Sequence, residues 1–229
     1  VVLHQLTIIE GWTFSQVRSA LSDNPVLSQT LNDFSDEEIM EKIGSMGLHP
    51  EGQFLPDTYS FSRQTTDLQY LQQAHQALQN TLATAWKNRD ENLPIKTPYE
   101  ALTLASIVEK ETGAAHERPL IAGVFMTRLR KNMKLQTDPT VIYGMGSRYQ
   151  GNIKRKHLRE DTPYNTYVHK GLTPTPISMP GAAAIEAVMH PKEEGYLYFV
   201  AKADGSGEHY FSKTLKEHNQ AVRKYQLKK

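Results

Sequence analysis

A long stretch with helical periodicity constrains the fold more than any other feature of the sequence. Between Asp67 and Asn88, side chains that suit a core recur at alternating spacings of three and four residues, at Leu68, Leu71, His75, Leu78 and Leu82. This spacing places them on one face of an α-helix, so the sequence predicts a long helix that buries one face. We expect His75, which lies on that face, to be a packed core histidine rather than a metal ligand.

Two shorter helices are predicted ahead of it by their start signals. Thr13 with Gln16, and Ser35 with Glu38, match the capping-box pattern, in which two side chains satisfy each other's free backbone N–H groups. Each pair therefore marks the beginning of a helix.

The segments around these two helices complete a small α/β unit. An apolar run at residues 6–9 predicts a short strand, and Gly47 predicts the end of the second helix. Residues 47–63 contain two prolines and show no periodicity, which predicts an ordered loop.

A boundary is predicted at residues 93–97, where Leu93-Pro94 interrupts the helical pattern. The sequence after it predicts further helices and then a β-hairpin around the Asp204-Gly205-Ser206-Gly207 turn, followed by a helix capped by Thr214. We therefore predict three regions, which are an N-terminal portion at 1–46, a loop and bracing helix at 47–96, and a larger domain at 97–229.

Composition excludes several classes of function. The 229 residues include 26 Lys plus Arg and 25 Asp plus Glu, a net charge of +1 that argues against capture of nucleic acid by bulk charge. The absence of cysteine excludes disulfides, thiolate metal sites and cysteine nucleophiles, and the histidines form no metal-binding motif. The sequence begins with Val and contains no membrane-spanning apolar run, so we expect a fragment, with any signal or anchor lying outside it.

The clearest helix start in the sequence precedes two glutamates. Thr97 as the cap, Pro98 at the first helical position and Glu100 in a capping box predict a helix that continues to Thr112. Four of its residues form one apolar stripe, Ala101, Leu104, Ala105 and Val108. Glu109 lies at the margin of this stripe, where partial desolvation would raise its pKa and suit it as a general acid.

Glu111 lies at the opposite margin of the same stripe. The two carboxylates therefore point to opposite flanks and cannot form the pair, about 5–10 Å apart, that ordinary glycosidases use. The alternative is that Glu109 is a solvated surface residue, and helical periodicity by itself favours that interpretation.

The sequence of residues 105–112, Ala-Ser-Ile-Val-Glu-Lys-Glu-Thr, resembles the signature of the endolytic murein transglycosylases, the YceG-like family. The likeness is closest at residues 135–144, Leu-Gln-Thr-Asp-Pro-Thr-Val-Ile-Tyr-Gly. Further matches occur in order at residues 51–59, 117–118, 124–129, 164–167, 171–172, 180–181, 190–191 and 196–200. The resemblance therefore covers most of the chain.

The resemblance implies cleavage of the β-1,4 bond between N-acetylmuramic acid and N-acetylglucosamine inside peptidoglycan strands, with 1,6-anhydro ends as product and no cofactor. Glu109 matches the catalytic glutamate of the family. It would protonate the glycosidic oxygen and then accept the proton of the muramic C6 hydroxyl, so that no second carboxylate is needed.

The resemblance also implies a cellular setting. Members of the family are typically held in the bacterial inner membrane by one N-terminal helix, with a LysM-like portion before a catalytic domain in the periplasm. Penicillin-binding proteins are expected partners, and limiting the elongation of nascent glycan strands is the expected role.

Two groups of residues are candidates for binding the glycan, and each has a structural alternative. The first group is Gln136, Thr137 and Asp138, whose polar groups could bind sugar or orient Glu109, although Asp138 before Pro139 is also a good helix cap. The second group is Tyr164, Asn165 and Tyr167, which suit sugar rings but could equally belong to a packed loop.

The sequence thus predicts an α+β protein, with a small LysM-like α/β N-terminal portion and a mainly helical lytic-transglycosylase catalytic domain that contains a β-hairpin. Two alternatives stay open. A non-catalytic glycan-binding scaffold would tolerate loss of Glu109, whereas a hydrolytic muramidase would need a second carboxylate such as Asp138 and would produce reducing ends.

Overall fold

The N-terminal part contains a two-stranded antiparallel sheet. The computed structural model describes residues 2–227, and its first strand, β1 (Leu3–Thr7), pairs with β2 (Thr58–Ser62). Leu3 lies opposite Ser62 at one end of this pair. The strand predicted near residues 6–9 therefore begins earlier and ends at Thr7.

Strand β2 falls inside the segment predicted to be a loop, so that prediction was wrong for its second half. Tyr59 and Phe61 are buried whereas Thr58 and Ser60 are exposed, which is the two-residue alternation of a half-buried strand. The run is only five residues long and follows two prolines, and its pairing partner lies more than 50 residues away.

Helices α1 (Phe14–Ser22) and α2 (Asp36–Ile43) begin where the sequence predicts them. Thr13 and Ser35 each form the expected capping box. Helix α2 ends earlier than predicted, at Gly44 rather than Gly47, because Gly44 adopts a left-handed conformation with φ of 89° that glycine takes without strain.

Helix α3 (Asp67–Asn88) has the predicted length and joins two hydrophobic clusters. Its first half packs with the N-terminal sheet and helices through Tyr70, Leu71 and Ala74, and its second half packs with the C-terminal helices through Leu78, Leu82 and Ala85. His75 lies between them and is buried, and its Nδ1 is 2.8 Å from the carbonyl oxygen of Gln53, which confirms it as a core histidine.

Helix α4 (Pro98–Glu111) is the centre of the C-terminal part. It contacts α3 and three further helices, α5 (Arg118–Arg130), α6 (Asp138–Met145) and α7 (Ala182–Met189). All residues from Ala101 to Val108 are buried, so burial extends around the helix beyond the four residues of the predicted apolar stripe. The helix leaves the core only in its last turn, which carries Glu109 and Glu111.

The predicted hairpin and final helix are confirmed. Strands β3 (Tyr198–Ala201) and β4 (His209–Ser212) pair antiparallel, and Thr214 caps helix α8 (Leu215–Tyr225) with a capping box. The hairpin is attached to the segment that follows α4, because Glu117 accepts hydrogen bonds from both the backbone N–H and Nδ1 of His209.

The described residues form a mixture of helices and two small antiparallel sheets, as expected for an α+β protein. The LysM-like character of the N-terminal portion and the boundaries 1–46, 47–96 and 97–229 stay predictions, and Val1 and the last two lysines lie outside the described part. None of the helices within residues 2–227 combines the length and the apolar character needed to cross a membrane.

Candidate active site

A groove of about 530 Å³ lies between the end of α4 and the C-terminal hairpin. One side, which we call the α6 wall, is formed by Glu111, Gln136, Thr137, Asp138 and Tyr167. The opposite side, which we call the α8 wall, includes Tyr198, His209, Leu215, His218 and Asn219. The groove therefore brings together four of the six predicted binding residues and a carboxylic acid.

Glu111 is the acid of the groove, and its pKa is raised. It is the last residue of α4, where the helix dipole disfavours a negative charge. Burial raises the pKa of Glu111 to about 7 and the nearby Asp138 also raises it, while a hydrogen bond from Thr137 and the charge of Arg128 oppose the shift. Near neutral pH, Glu111 can therefore both donate and accept a proton.

The orientation of Glu111 is fixed by Thr137. The hydroxyl of Thr137 donates a hydrogen bond to Oε1 of Glu111, whereas no group within residues 2–227 donates to Oε2. Thr137 is fixed in turn, because its backbone N–H donates to the hydroxyl of Thr166 at 3.1 Å. One oxygen of the acid is thus held by the protein while the other is left for a ligand.

Arg128 holds the chain segment that precedes Thr137. Its guanidinium is buried and donates to the carbonyl oxygens of Lys134 and Leu135, each at 2.9 Å, and to the side-chain oxygen of Gln136 at 3.3 Å. Gln136 has a φ of 54°, a left-handed conformation that is costly for a residue with a side chain. Arg128 therefore stabilises a strained segment beside the acid.

Asp138 and Tyr167 form a second polar pair in the groove. The Tyr167 hydroxyl donates to Oδ1 of Asp138 at 2.6 Å, and burial together with this bond raises the pKa of Tyr167. The cap of α6 is Thr137 rather than Asp138, so the predicted capping role of Asp138 was wrong by one position. Its carboxylate is directed to Tyr167 instead.

Glu109 does not line the groove, contrary to the position expected of a general acid. Its side chain is 5% exposed, and its two oxygens accept hydrogen bonds from Arg118 and from the backbone N–H of Gly181, both at 3.0 Å. Arg118 also lies 3.5 Å from Glu10 in the N-terminal part. Glu109 is therefore part of a buried ion pair at the contact between the two parts of the chain, and its catalytic role stays a prediction. Thr137 orients Glu111 rather than Glu109.

Tyr164 lies outside the groove. Its ring is 4.8 Å from that of Tyr143, and its hydroxyl is 2.9 Å from that of Thr175. These contacts match the structural alternative given for Tyr164, in which it belongs to a packed loop.

Asn165 also serves the loop rather than the groove. It is buried, and its amide nitrogen donates to the carbonyl oxygens of His157 and Glu160. Its side-chain oxygen accepts from the backbone N–H of Tyr167 at 2.9 Å, so Asn165 supports a residue that does line the groove.

The α8 wall was missed by the sequence analysis. Its histidines, His209 and His218, match no motif, and the partner of His209, Glu117, is 92 residues away in sequence. The one available signal was Tyr198, which falls in the last matched stretch of the family resemblance. Within the described part of the chain, no group of three or more His, Asp or Glu side chains is arranged to hold a metal ion.

Comparison with known proteins places these features in a family. The sequence model of the YceG-like family matches residues 2–224. A curated relative, the endolytic murein transglycosylase of Bacillus subtilis strain 168, is 36% identical over 237 residues, covering 96% of this chain and 65% of the relative. The protein of the same name from Streptococcus pneumoniae strain D39 is 29% identical over 248 residues, covering 96% of this chain and 44% of that protein.

A solved structure of a YceG-like protein from Listeria monocytogenes has a similar fold. It superposes with a TM-score of 0.75 at 33% sequence identity, over 94% of this chain and 75% of the other. The chain thus spans slightly less than two thirds of the Bacillus relative and less than half of the Streptococcus relative.

Proposed function

The chain belongs to the YceG-like family, and we propose that it carries the catalytic part of an endolytic murein transglycosylase. In this proposal it cleaves the β-1,4 bond between N-acetylmuramic acid and N-acetylglucosamine within peptidoglycan strands and leaves a 1,6-anhydro end. The observation that carries the proposal is one oriented carboxylic acid in a groove, Glu111, with a pKa raised to about 7. The names of the two curated relatives support the choice of substrate.

Glu111 would act first as an acid and then as a base. In the first step its proton moves to the glycosidic oxygen as the bond from that oxygen to C1 of the muramic sugar breaks. In the second step the C6 hydroxyl oxygen of the same sugar bonds to C1 and its proton returns to Glu111. No water is consumed, and the enzyme ends in its starting protonation state, which an acid with a pKa near neutrality can accomplish.

The other residues of the α6 wall would position the acid and the sugar. Thr137 orients Glu111, and Gln136, Asp138 and Tyr167 offer amide, carboxylate and hydroxyl groups to the hydroxyl and acetamido groups of the glycan. Glu109, which matches the catalytic glutamate of the family, is the alternative acid. Its contact with Arg118 supports a positioning role in the present proposal.

Hydrolysis is a second candidate, because the groove contains a second carboxylate. Asp138 lies on the same wall as Glu111 and could activate a water molecule. Its bond with Tyr167 and the absence of any need for a second carboxylate in the anhydro reaction favour the first proposal.

Mass spectrometry of digested peptidoglycan decides between the two reactions. The purified chain is incubated with glycan strands, and the ends of the products are identified. We expect anhydro ends, which are about 18 mass units lighter than the reducing ends made by hydrolysis, since one water is not consumed. Reducing ends alone would instead select the muramidase, and undigested strands with retained binding would select the non-catalytic scaffold.

The cellular setting is proposed on the family resemblance. Action on peptidoglycan implies a location outside the cytoplasm, and we propose an inner-membrane anchor, a periplasmic catalytic domain, penicillin-binding proteins as partners and a role in limiting strand elongation. Strand-length analysis of cell walls with and without the protein tests the last point. Longer strands are expected in its absence.

A further inference from the structure

His218 on the α8 wall has an unusual polar environment. Its Nδ1 is buried and makes no hydrogen bond to any group within residues 2–227. Its ring lies nearly parallel to that of Tyr198, with centroids 5.2 Å apart and an angle of 25°. The side chain is thus held in place by stacking while one of its ring nitrogens lacks a partner.

A buried polar atom without a partner is unfavourable, and in native proteins it commonly marks a site that a ligand or water satisfies. The position of His218 supports a ligand, because the residue lines the same groove as Glu111. Burial, with a smaller contribution from the charge of Arg128, lowers the pKa of His218. The imidazole is therefore neutral near pH 7 and can donate from one ring nitrogen and accept at the other.

The next residue along α8 provides a second polar group. Asn219 is exposed and also lines the groove, whereas Gln220, which follows it, is exposed but does not belong to the groove lining. A neutral imidazole and a primary amide match hydroxyl and acetamido groups, but neither neutralises a carboxylate. This chemistry fits the sugar part of peptidoglycan better than its acidic peptides.

We propose that the α8 wall is a saccharide subsite, in which the imidazole of His218 and the side-chain amide of Asn219 bind the hydroxyl or acetamido groups of an N-acetylated sugar ring across the groove from Glu111. This inference rests on the proposed function for the identity of the substrate. It assigns the C-terminal helix a direct part in recognition, in addition to its packing on the hairpin.

Binding of peptide-free glycan strands to the Glu111→Gln variant, after its lack of cleavage has been checked, provides the test. In that background, His218→Phe keeps a ring to stack on Tyr198 but removes both nitrogens. We expect it to weaken binding about three- to tenfold, the loss of a hydrogen bond to the ligand, without lowering Tm, because the unpartnered buried atom is also removed. A purely structural role for His218 would instead leave glycan affinity unchanged.

Asn219→Ala provides a second measurement, with Gln220→Ala as its matched control. We expect weaker glycan binding only for the Asn219 variant. If His218→Phe does not fold, two other measurements test the subsite. One is the comparison of Asn219→Ala with Gln220→Ala, and the other is the ring ¹⁵N chemical shifts of His218 in the Glu111→Gln protein, which should change when glycan is added. Unchanged affinity in Asn219→Ala and unchanged ring shifts would overturn the subsite.

These results are separable from the fate of the proposed reaction. The binding assay uses an inactive variant, so it reports on the subsite whatever products the wild-type protein makes. If the wild type yields reducing ends while His218→Phe weakens glycan binding, the reaction assignment fails and the subsite stands.

Discussion

The hydroxyl of Thr137 donates a hydrogen bond to the carboxylate of Glu111, joining the residue that caps α6 to the last residue of α4. The two residues are 26 positions apart in sequence and meet at the edge of the groove. This bond favours the ionised form of Glu111 and partly offsets the effect of burial on its pKa. Thr137 is therefore expected to set both the direction of the acid and the pH at which it works.

Replacement of Thr137 by Val should shift the pH dependence of cleavage. Loss of the hydrogen bond raises the pKa of Glu111 further, because the charged form loses its donor, so the alkaline limb of the rate profile should move to higher pH. Thr137→Ser keeps the hydroxyl and should keep the wild-type profile. The measurement is the initial rate of glycan cleavage from pH 5 to pH 9, and an unmoved alkaline limb in Thr137→Val would contradict the role given to this bond.

Replacement of Glu111 by Gln should abolish most of the activity and leave the fold intact. Gln is nearly isosteric but cannot transfer the proton, and general acid–base catalysis by one group typically contributes about 10²–10⁴ in rate. Anhydro product formation gives the rate, and circular dichroism checks the fold. Near-normal activity in this variant would sink the assignment of Glu111.

Replacement of Glu109 by Gln should lower the stability of the fold and keep most of the activity. Arg118 would lose its closest anionic partner in a nearly buried site, which should cost about 2 kcal/mol of stability. At temperatures where the variant is folded, cleavage should stay within about tenfold of the wild type. Urea unfolding and the cleavage assay together decide the matter. A folded Glu109→Gln protein without activity would instead identify Glu109 as the acid.

Stability should depend on the protonation of Glu51, a carboxyl buried between the two parts of the chain. Glu51 accepts hydrogen bonds from the backbone N–H of Phe14 and the hydroxyl of Tyr143, both at 2.9 Å, yet burial raises its pKa from 4.5 to about 7. The folded state therefore binds this proton more tightly than the unfolded state. The free energy of unfolding should fall as pH rises from about 4.5 to about 7.

Glu51→Gln tests this expectation, because the amide cannot titrate. Between pH 5 and pH 8, the free energy of unfolding should fall less in the variant than in the wild type, by an amount on the order of 2–3 kcal/mol. Urea unfolding at the two pH values measures it. Glu111 contributes in the same direction, so Glu111→Gln should also reduce the dependence of the free energy of unfolding on pH. An unchanged pH dependence in Glu51→Gln would contradict the prediction.

The bond between His209 and Glu117 should determine how firmly the hairpin is attached. His209→Ala leaves the buried carboxylate of Glu117 without its side-chain donor, which should cost about 1–3 kcal/mol. His209→Asn places an amide donor near the position of Nδ1 and should recover part of that loss. Hydrogen exchange of the β3–β4 amides reports the attachment directly. Wild-type protection in His209→Ala would show that this bond is not what holds the hairpin.

Interactions between near neighbours in sequence could be predicted well. The capping boxes at Thr13 and Ser35 and the cap at Thr214 were found from residue type and spacing alone, because a cap involves residues only three positions apart. The capping box predicted at Thr97 forms only in part, since Glu100 accepts from the backbone N–H of Lys96 rather than from that of Thr97. The length of α3 followed in the same way from its periodicity.

Which glutamate of α4 lines the groove could not be predicted from helical periodicity. Periodicity treats a helix as having one buried face, whereas α4 is enclosed along residues 101–108, so a position at the margin of a stripe has no meaning there. What separates Glu109 from Glu111 is the partner each meets at the end of the helix, Arg118 or Thr137. Such contacts depend on how α5 and α6 return to α4, which local patterns do not encode.

The enclosure of α4 has a consequence for how this protein can vary. Glu111 lies at the C-terminal end of α4, and the side chains packed around α4 set the position of the helix along its axis. An added or lost methylene group among these side chains therefore displaces Glu111 along that axis. A displacement of about 1 Å at a reacting group can cost a hundredfold in rate, whereas the packing change itself costs about 1–3 kcal/mol, which is less than the stability of a native protein, about 5–15 kcal/mol. Sequence drift in this interior should therefore be limited by turnover before it is limited by folding.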